Sequence, residues 1–491
     1  MRRSHPLTRK TLRIPPEEEL RLMSQPQLVA LALELIALVR VQQAKIEHQH
    51  REKKRQAAPF GRKKKSAHPG KPGRKPGKGR FKNRQPPEPV HVTNHVNIPA
   101  PTQCPQCGSA DVLFDHEEDA YTTDIPEPEP EVTHFHRAVS RCQACGCSDI
   151  RSEHPDVPLD QRGATAHRLG PRLFLAAHAM HYGRGVPVCK TAPIIKELTG
   201  IEVTPSALTQ DALRRAERHP LSTAYQDLRD AVPKSPVAQT DDTGFAIGKT
   251  PAQLMVFTTP DTEEGPGVTC YQVRLQHRNE EVREVIPADY TGTMVTDRGR
   301  AYDAKEFDAT KQQKCIFHVG RSIEEVLETK VGAARYIGEV LVQLLDEALH
   351  HWHRWHAGKR RGWEKDAKNI QQRISQHLAK RRVQDPDNQR LLDELGWHDD
   401  RGNLTRFLTD PSVPPTNNLS EQELRLAIQA RKVSQCVKND RGARALEAHS
   451  SLIRTEQRKD PSSLLDALRP IYFGAQPQAP PAAPNLPPIQ P

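Results

Sequence analysis

No run of about 18 apolar residues occurs in the 491-residue chain, so no membrane-spanning helix is expected. The opening stretch, MRRSHPLTRK, is basic, but no apolar segment follows it. Secretion is therefore not expected, and the cytosol is the expected location. There is no glycine-rich phosphate loop and no nucleotide-binding fingerprint, so ATP dependence is not expected either. Hydrophobic residues are scarce, at 35%, so part of the chain is expected to lie outside any packed core. The nine cysteines are an odd number, and four of them form two CxxC pairs. In a cytosolic protein this pattern points to metal binding, not to a disulfide framework.

What the sequence does have is positive charge concentrated in one place. Lys and Arg number 72 against 61 Asp and Glu, a net charge of +11. From Lys53 to Arg84 there are fourteen Lys or Arg and no acid, more than the whole net charge. The stretch 57–90 is also rich in Gly and Pro, which prevents helix or strand and predicts an extended tether. Lys63, Lys64, Lys65, Arg74, Lys75, Lys78 and Arg80 are its candidate DNA-binding residues, able to neutralise phosphates without reading sequence. The piece GRKPGKGR also faintly resembles a minor-groove hook. Ahead of the tether, residues 1–56 carry a predicted helix starting at Ser24 or Gln25. Leu28, Leu31, Leu35, Leu38 and Gln42 form a heptad seam that Ile46 continues. A short coiled coil joining two protomers and an amphipathic helix docked on its own chain both fit this pattern.

In residues 91–154, Cys104-Pro-Gln-Cys107 and Cys142-Gln-Ala-Cys145 are separated by 34 residues. Two such turns can bring four thiolates to the corners of a tetrahedron, the arrangement Zn²⁺ favours in closed structural sites. Gly108 and Gly146 follow each second cysteine, where a knuckle turn calls for positive φ. Cys147 is treated as a spare, and VTHFHRAV between the knuckles as strand-like.

Residues 155–232 are expected to be helical and to include the DNA-binding region. LGPRLFLAAHAMHYG predicts a helix ended by Gly183. PVCKTAPIIKELTG and TPSALTQDALRRAERH predict two more, the second capped at Thr204 with Pro205 in its first turn. A helix-turn-helix and an ordinary helical hairpin both fit. From 233 to 329 the pattern changes to strands: SPVAQTDD, QLMVFTT, VTCYQVRL, TMVTD and the start of QQKCIFHVGRSIEEVLETK. NEEVREVIPADY between them reads as a helix and a turn. A mixed sheet flanked by helices is expected. A helical insertion over 330–410 follows, then a second core part over 411–473. That part opens with a helix capped near Thr416 or Asn417 and closes with PSSLLDALRPIY. The Pro-rich tail, 474–491, is expected to be disordered. His350, His351, His353 and His356, with Trp352 and Trp355, form either a metal or stacking cluster or a plain helical surface.

Three acids are candidates for chemistry: Asp241 at the end of the first strand, Asp297 at the end of the fourth, and Glu421 in the late helix. Carboxylates converging at a sheet edge repel one another, and a pair of Mg²⁺ ions relieves that repulsion. Two such ions suit in-line phosphoryl transfer on a nucleic-acid backbone. Asp242 is expected to point to the opposite face and competes for the first ligand position.

In their order, CPQC, CQAC, TDDTG, VTDRGRAY, CIFHVGR and NNLSEQELR resemble transposases of the insertion sequence 66 family, from about Leu20 to Tyr472. The resemblance implies a multidomain α+β protein: an N-terminal leucine-rich helix, a basic linker, a four-cysteine zinc segment, a helical region and an RNase H-like DDE core with a helical insertion. It implies Asp241, Asp297 and Glu421 as the catalytic acids and matches His318 to the histidine after the next strand. It implies cleavage and strand transfer at transposon ends, and double-stranded DNA as partner. A homodimer or higher synaptic assembly, helper proteins from the same element and a nucleoid-associated location go with it. The sequence departs from the family at Asp242, where Glu is usual, at Gly244 for Pro, at Gln422 for Arg, and at Lys432-Val433-Ser434 for Lys-Asn-Trp. A degenerate copy that binds DNA without catalysis is the alternative.

Overall fold

The computed structural model describes residues 20–21, 23–33, 36, 85–125, 129–136, 139–151 and 169–474, without 264, 329, 380, 381, 435 and 436. The chain divides into two units, Met1–Thr123 and Asp124–Pro491. In the first unit residues 25–33 are helical, carrying Leu28 and Leu31 of the heptad seam. Leu35, Leu38, Gln42 and Ile46 lie outside the described residues, as do Lys63, Lys64, Lys65, Arg74, Lys75, Lys78 and Arg80 of the tether. From 85 to 123 the chain is irregular apart from a 3₁₀ turn at Pro89–His91 and a tight turn beginning at Cys104. Ile98, Leu113 and Phe114 are exposed there, so this stretch builds no apolar core.

The second unit opens with a two-residue antiparallel pair, β1 (Val139–Ser140) and β2 (Ile150–Arg151). Of the strand expected over VTHFHRAV, only Val139 is paired among the described residues. Four helices follow: α1 (Pro171–Arg184), α2 (Val188–Thr199), α3 (Pro205–Ala216) and α4 (Leu221–Ala231). Thr204 caps α3 by accepting from the Ala207 N–H, as its sequence signature predicts. Gly183 does not end α1. The helix runs through it and stops at Gly185, whose φ of 73° closes the last turn. Gly183 has a packing role instead: a Cβ there would stand 2.6 Å from the Ile453 side chain.

The sheet has five strands: β3 (Val237–Ile247), β4 (Thr250–Thr258), β5 (Thr269–Arg274), β6 (Thr293–Thr296) and β7 (Lys311–Lys314), with the short helix α5 (Asn279–Arg283) between β5 and β6. Their order is β5-β4-β3-β6-β7. β3, β4 and β5 are antiparallel neighbours, whereas β6 runs parallel to β3 and β7 parallel to β6. β3 is longer than expected. It passes through Asp241 and Asp242 to Ile247 because it forms a hairpin with β4 along its whole second half. On one sheet face, Ala238, Met255, Phe257 and Met294 join the core built by α1 and α4. On the other, Val237 and Val295 pack under α6 (Ile316–Leu327) and the insertion helices α7 (Gly332–His356), α8 (Trp363–Leu378) and α9 (Pro386–Asp400). A short helix α10 (Arg406–Thr409) completes this layer, and α11 (Asn418–Ser434), α12 (Asp440–Arg458) and α13 (Leu464–Phe473) end the unit.

Both sheet edges are covered by the chain itself. Along β5, the N–H groups of Thr269, Tyr271 and Val273 donate to Thr455, Ser451 and Glu447, which line one face of α12 at four-residue intervals. Along β7, the Lys314 N–H donates to the Asn403 carbonyl, and Arg406 donates to the Gln312 carbonyl. Outer strands are thereby supplied with the partners they would otherwise lack.

Candidate active site

Pairing between β3 and β6 stops at Gln239 and Val295. Beyond that point β6 no longer pairs with β3, α11 lies against this side instead, and Asp241 and Asp242 stand where the two strands part. Asp297 follows the last residue of β6. Carboxylate oxygens of Asp241, Asp242 and Asp297 lie within 4.8 Å of one another. The β3–β4 ladder continues unbroken through both residues, so Asp242 lies beside His277 on one face and Asp241 towards Glu421 on the other, yet their carboxylate oxygens still meet at the edge where pairing with β6 has ended. Burial pushes the Asp241 carboxyl up to about 7, and the charges of Asp297, Asp242 and Glu421 push in the same direction, against a hydrogen bond from the Asp242 N–H.

Each acid is held by local structure. Asp297 accepts the Gly299 N–H at 2.8 Å. A Cβ at Gly299 would stand 2.9 Å from the Asp297 oxygen, so a larger residue there would push the carboxylate out of this position. Asp242 is 3.1 Å from His277 Nδ1. Burial opposes charge on His277, but the hydrogen bond and charge of Asp242 outweigh it and raise the histidine's pKa. The imidazole edge meets the ring of Tyr302, which is fully buried beneath the cluster.

Glu421 lies in the first turn of α11, which is tied to β3 at both ends. Asn417 donates to the Thr240 carbonyl, and the Leu419 N–H donates to Gln239. Farther along, Arg431 donates to Thr243 Oγ1 at 3.0 Å and to the Gly244 carbonyl. Asn417 precedes the helix as expected, but its side chain anchors the strand. His318, one turn into α6, places Nδ1 3.7 Å from the nearer Glu421 oxygen. Cys315, at the N-cap of α6, joins these two: donor atoms of Cys315, His318 and Glu421 lie within 4.8 Å of one another. Sequence reasoning missed His277, a lone histidine past a strand with no pattern around it. It also passed over Cys315, although C-x-x-H spacing within CIFHVGR was a usable signal.

Each CxxC forms the same turn. The Cys104 N–H donates to Ser109 and the Gly108 N–H to Cys104; likewise Cys142 donates to Cys147 and Gly146 to Cys142. Gly108 and Gly146 have φ of 73° and 71°, as knuckles require. Backbone N–H groups of Cys107 and Gln106 lower the Cys104 pKa, and the backbone and side chain of Cys145, followed by the Ala144 N–H, do so for Cys142. The histidine-rich end of α7 is packed by ordinary contacts: His351 stacks on Trp363, while His356 and Trp352 bond to the Pro411 carbonyl. Among the described residues, no helix is long and apolar enough to cross a membrane.

Fold and site together define a mixed-sheet protein with an all-carboxylate cluster where β3 and β6 part, a donor set suited to hard divalent cations. A family model described as Transposase IS66 family matches residues 168–445, more than half of the chain. The chain belongs to that family, which implies DNA as its substrate. No curated protein matches the chain.

Proposed function

We propose that this chain is a DNA transposase that cleaves at transposon ends and transfers the strand, with Asp241, Asp297 and Glu421 as its catalytic acids. The observation that carries the reading is the convergence of Asp241, Asp242 and Asp297 within 4.8 Å, with Glu421 close enough to raise the pKa of Asp241. The strand order, three antiparallel strands followed by two parallel ones, supports an RNase H-like core interrupted by the helical insertion.

The donor set fits two Mg²⁺ ions: every ligand is a carboxylate oxygen, and the buried like charges favour a cation between them. Asp241, Asp297 and Glu421 would hold these ions, with Asp242 as a further ligand. Bound there, Mg²⁺ supplies activation of a water or 3′-hydroxyl and charge stabilisation at the leaving oxygen. The chain's own part is positional. The Gly299 N–H fixes Asp297, His277 fixes Asp242, and the two ends of α11 fix Glu421 against β3. The knuckle turns support a structural Zn²⁺ on Cys104, Cys107, Cys142 and Cys145.

The test is full-length protein with duplex DNA carrying the element's own ends, in Mg²⁺ or EDTA. Asp241→Asn, Asp297→Asn and Glu421→Gln should each lower cleavage by roughly a thousandfold while DNA binding persists. Wild-type protein that binds the ends but shows no metal-dependent cleavage would instead be a non-catalytic DNA-binding copy.

A further inference from the structure

We propose that Cys315, His318 and Glu421 form a second cation site, one that takes a borderline transition metal of the Zn²⁺ class and competes with the aspartate cluster for Glu421. The competition rests on the reading of Glu421 as a catalytic acid; the binding site itself does not.

The three donors come from two helices that meet beside β6. Cys315 and His318 are one turn apart at the start of α6, held next to Asp297 by the Cys315 N–H bond to the Thr296 carbonyl at 2.7 Å. Glu421 faces them from α11. Their donor atoms lie within 4.8 Å of one another, and ligands around a tetrahedral zinc stand about 3.3–3.8 Å apart. Small side-chain rotations close that difference.

Two further features point to a metal. His318 Nδ1 is buried and makes no hydrogen bond, and at 3.7 Å the Glu421 oxygen stands just beyond hydrogen-bond reach. Burial raises the Cys315 thiol pKa, and against it the backbone N–H groups of Asn417, His318 and Phe317 are directed at the sulfur, the support that metal-bound thiolates receive in knuckle turns. One sulfur, one nitrogen and one oxygen make a set that zinc accepts and Mg²⁺ does not, because hard Mg²⁺ takes oxygen ligands. Three protein ligands also leave a fourth position open.

The site has a consequence for Glu421. A carboxylate drawn onto a zinc with Cys315 and His318 is withdrawn from the cations of Asp241 and Asp297. Zn²⁺ should then inhibit the Mg²⁺-dependent reaction, and loss of either soft ligand should relieve that inhibition.

The experiment equilibrates full-length wild type, Cys315→Ser, His318→Ala and Cys189→Ser with Zn²⁺, removes free metal by gel filtration and counts zinc per chain. The four-cysteine segment contributes equally to all four proteins, and the exposed Cys189 serves as control. Cys315→Ser and His318→Ala should each hold one zinc fewer than wild type, and Cys189→Ser the same number. Equal zinc in wild type and His318→Ala overturns the site, even if Cys315→Ser fails to fold. In the DNA assay, Zn²⁺ should lower wild-type cleavage in Mg²⁺ by about tenfold or more, and by much less in His318→Ala. A zinc difference without that change overturns the competition for Glu421. A wild type that never cleaves leaves the zinc counts decisive and overturns only the transposase reading and the competition built on it.

Discussion

Asp241 is the residue whose ionisation is most tightly linked to the fold of the site. An ordinary aspartate titrates near 4, whereas burial and then the neighbouring carboxylates lift this one to about 7. A folded pKa above the unfolded one means that the folded state binds the proton more tightly. The stabilisation is complete below about pH 4 and is lost as pH rises through 7. In cation-free protein, Asp241→Asn should therefore raise the melting temperature relative to wild type, and more at pH 8 than at pH 5. Each kcal/mol is worth about 2–4 °C in a domain of this size class. Mg²⁺ should stabilise wild type more at pH 8 than at pH 6, since it displaces fewer protons there. Scanning calorimetry at the three pH values checks both, and a pH-independent difference would count against the shared carboxylate site. Asp297 and Glu421 were legible as acids beside a strand end and a helix start, and Asp241 as an acid on the first strand, although β3 runs on past it to Ile247. The approach of the Asp242 carboxylate to that cluster was not, because alternation puts it on the other face of β3, and only the end of β6 pairing three residues earlier lets both aspartates reach one edge.

At the scale of elements, α11 and α12 show what periodicity can and cannot reveal. α11 was legible from its start next to Asn417 and its apolar spacing, and its first turn carries Glu421. α12, the longest element of the C-terminal part, was missed. Its sheet-facing row consists of Glu447, Ser451 and Thr455, polar groups that serve the strand N–H donors, so no apolar stripe marks it. Alanines supply much of the remaining packing. Ser451→Ala would leave the buried Tyr271 N–H without its acceptor, a loss of about 1–3 kcal/mol measurable as a lower denaturant midpoint. An unchanged midpoint would mean that the side-chain bonds along β5 are dispensable. Gly183 was legible as a helix signal of the wrong kind: it marks where α1 meets α12, and the αL terminus falls two residues later.

For the whole molecule, the proposed DNA and zinc roles fall on the outlying segments, where they can be tested. Deleting Lys53–Arg84 should weaken binding to all duplexes alike and reduce the salt slope by about 0.9 for each phosphate that is no longer neutralised. Weakening confined to one sequence, in titrations at several salt concentrations, would show that the segment reads bases or groove shape. The double variant Cys104→Ser/Cys142→Ser should lose one zinc per chain by elemental analysis, and unchanged zinc would remove the four-cysteine assignment.

The covered edges of the sheet set a rule for how copies of this chain can meet. An incoming strand needs a row of vacant N–H and C=O groups to zip onto, and α12 occupies that row along β5 while the Asn403–Arg406 segment occupies it along β7. Under the proposed function, protomers gathered on paired DNA ends would be joined by something other than the edges of this five-stranded sheet. Such an assembly would come apart after strand transfer without baring those two edges to further chains.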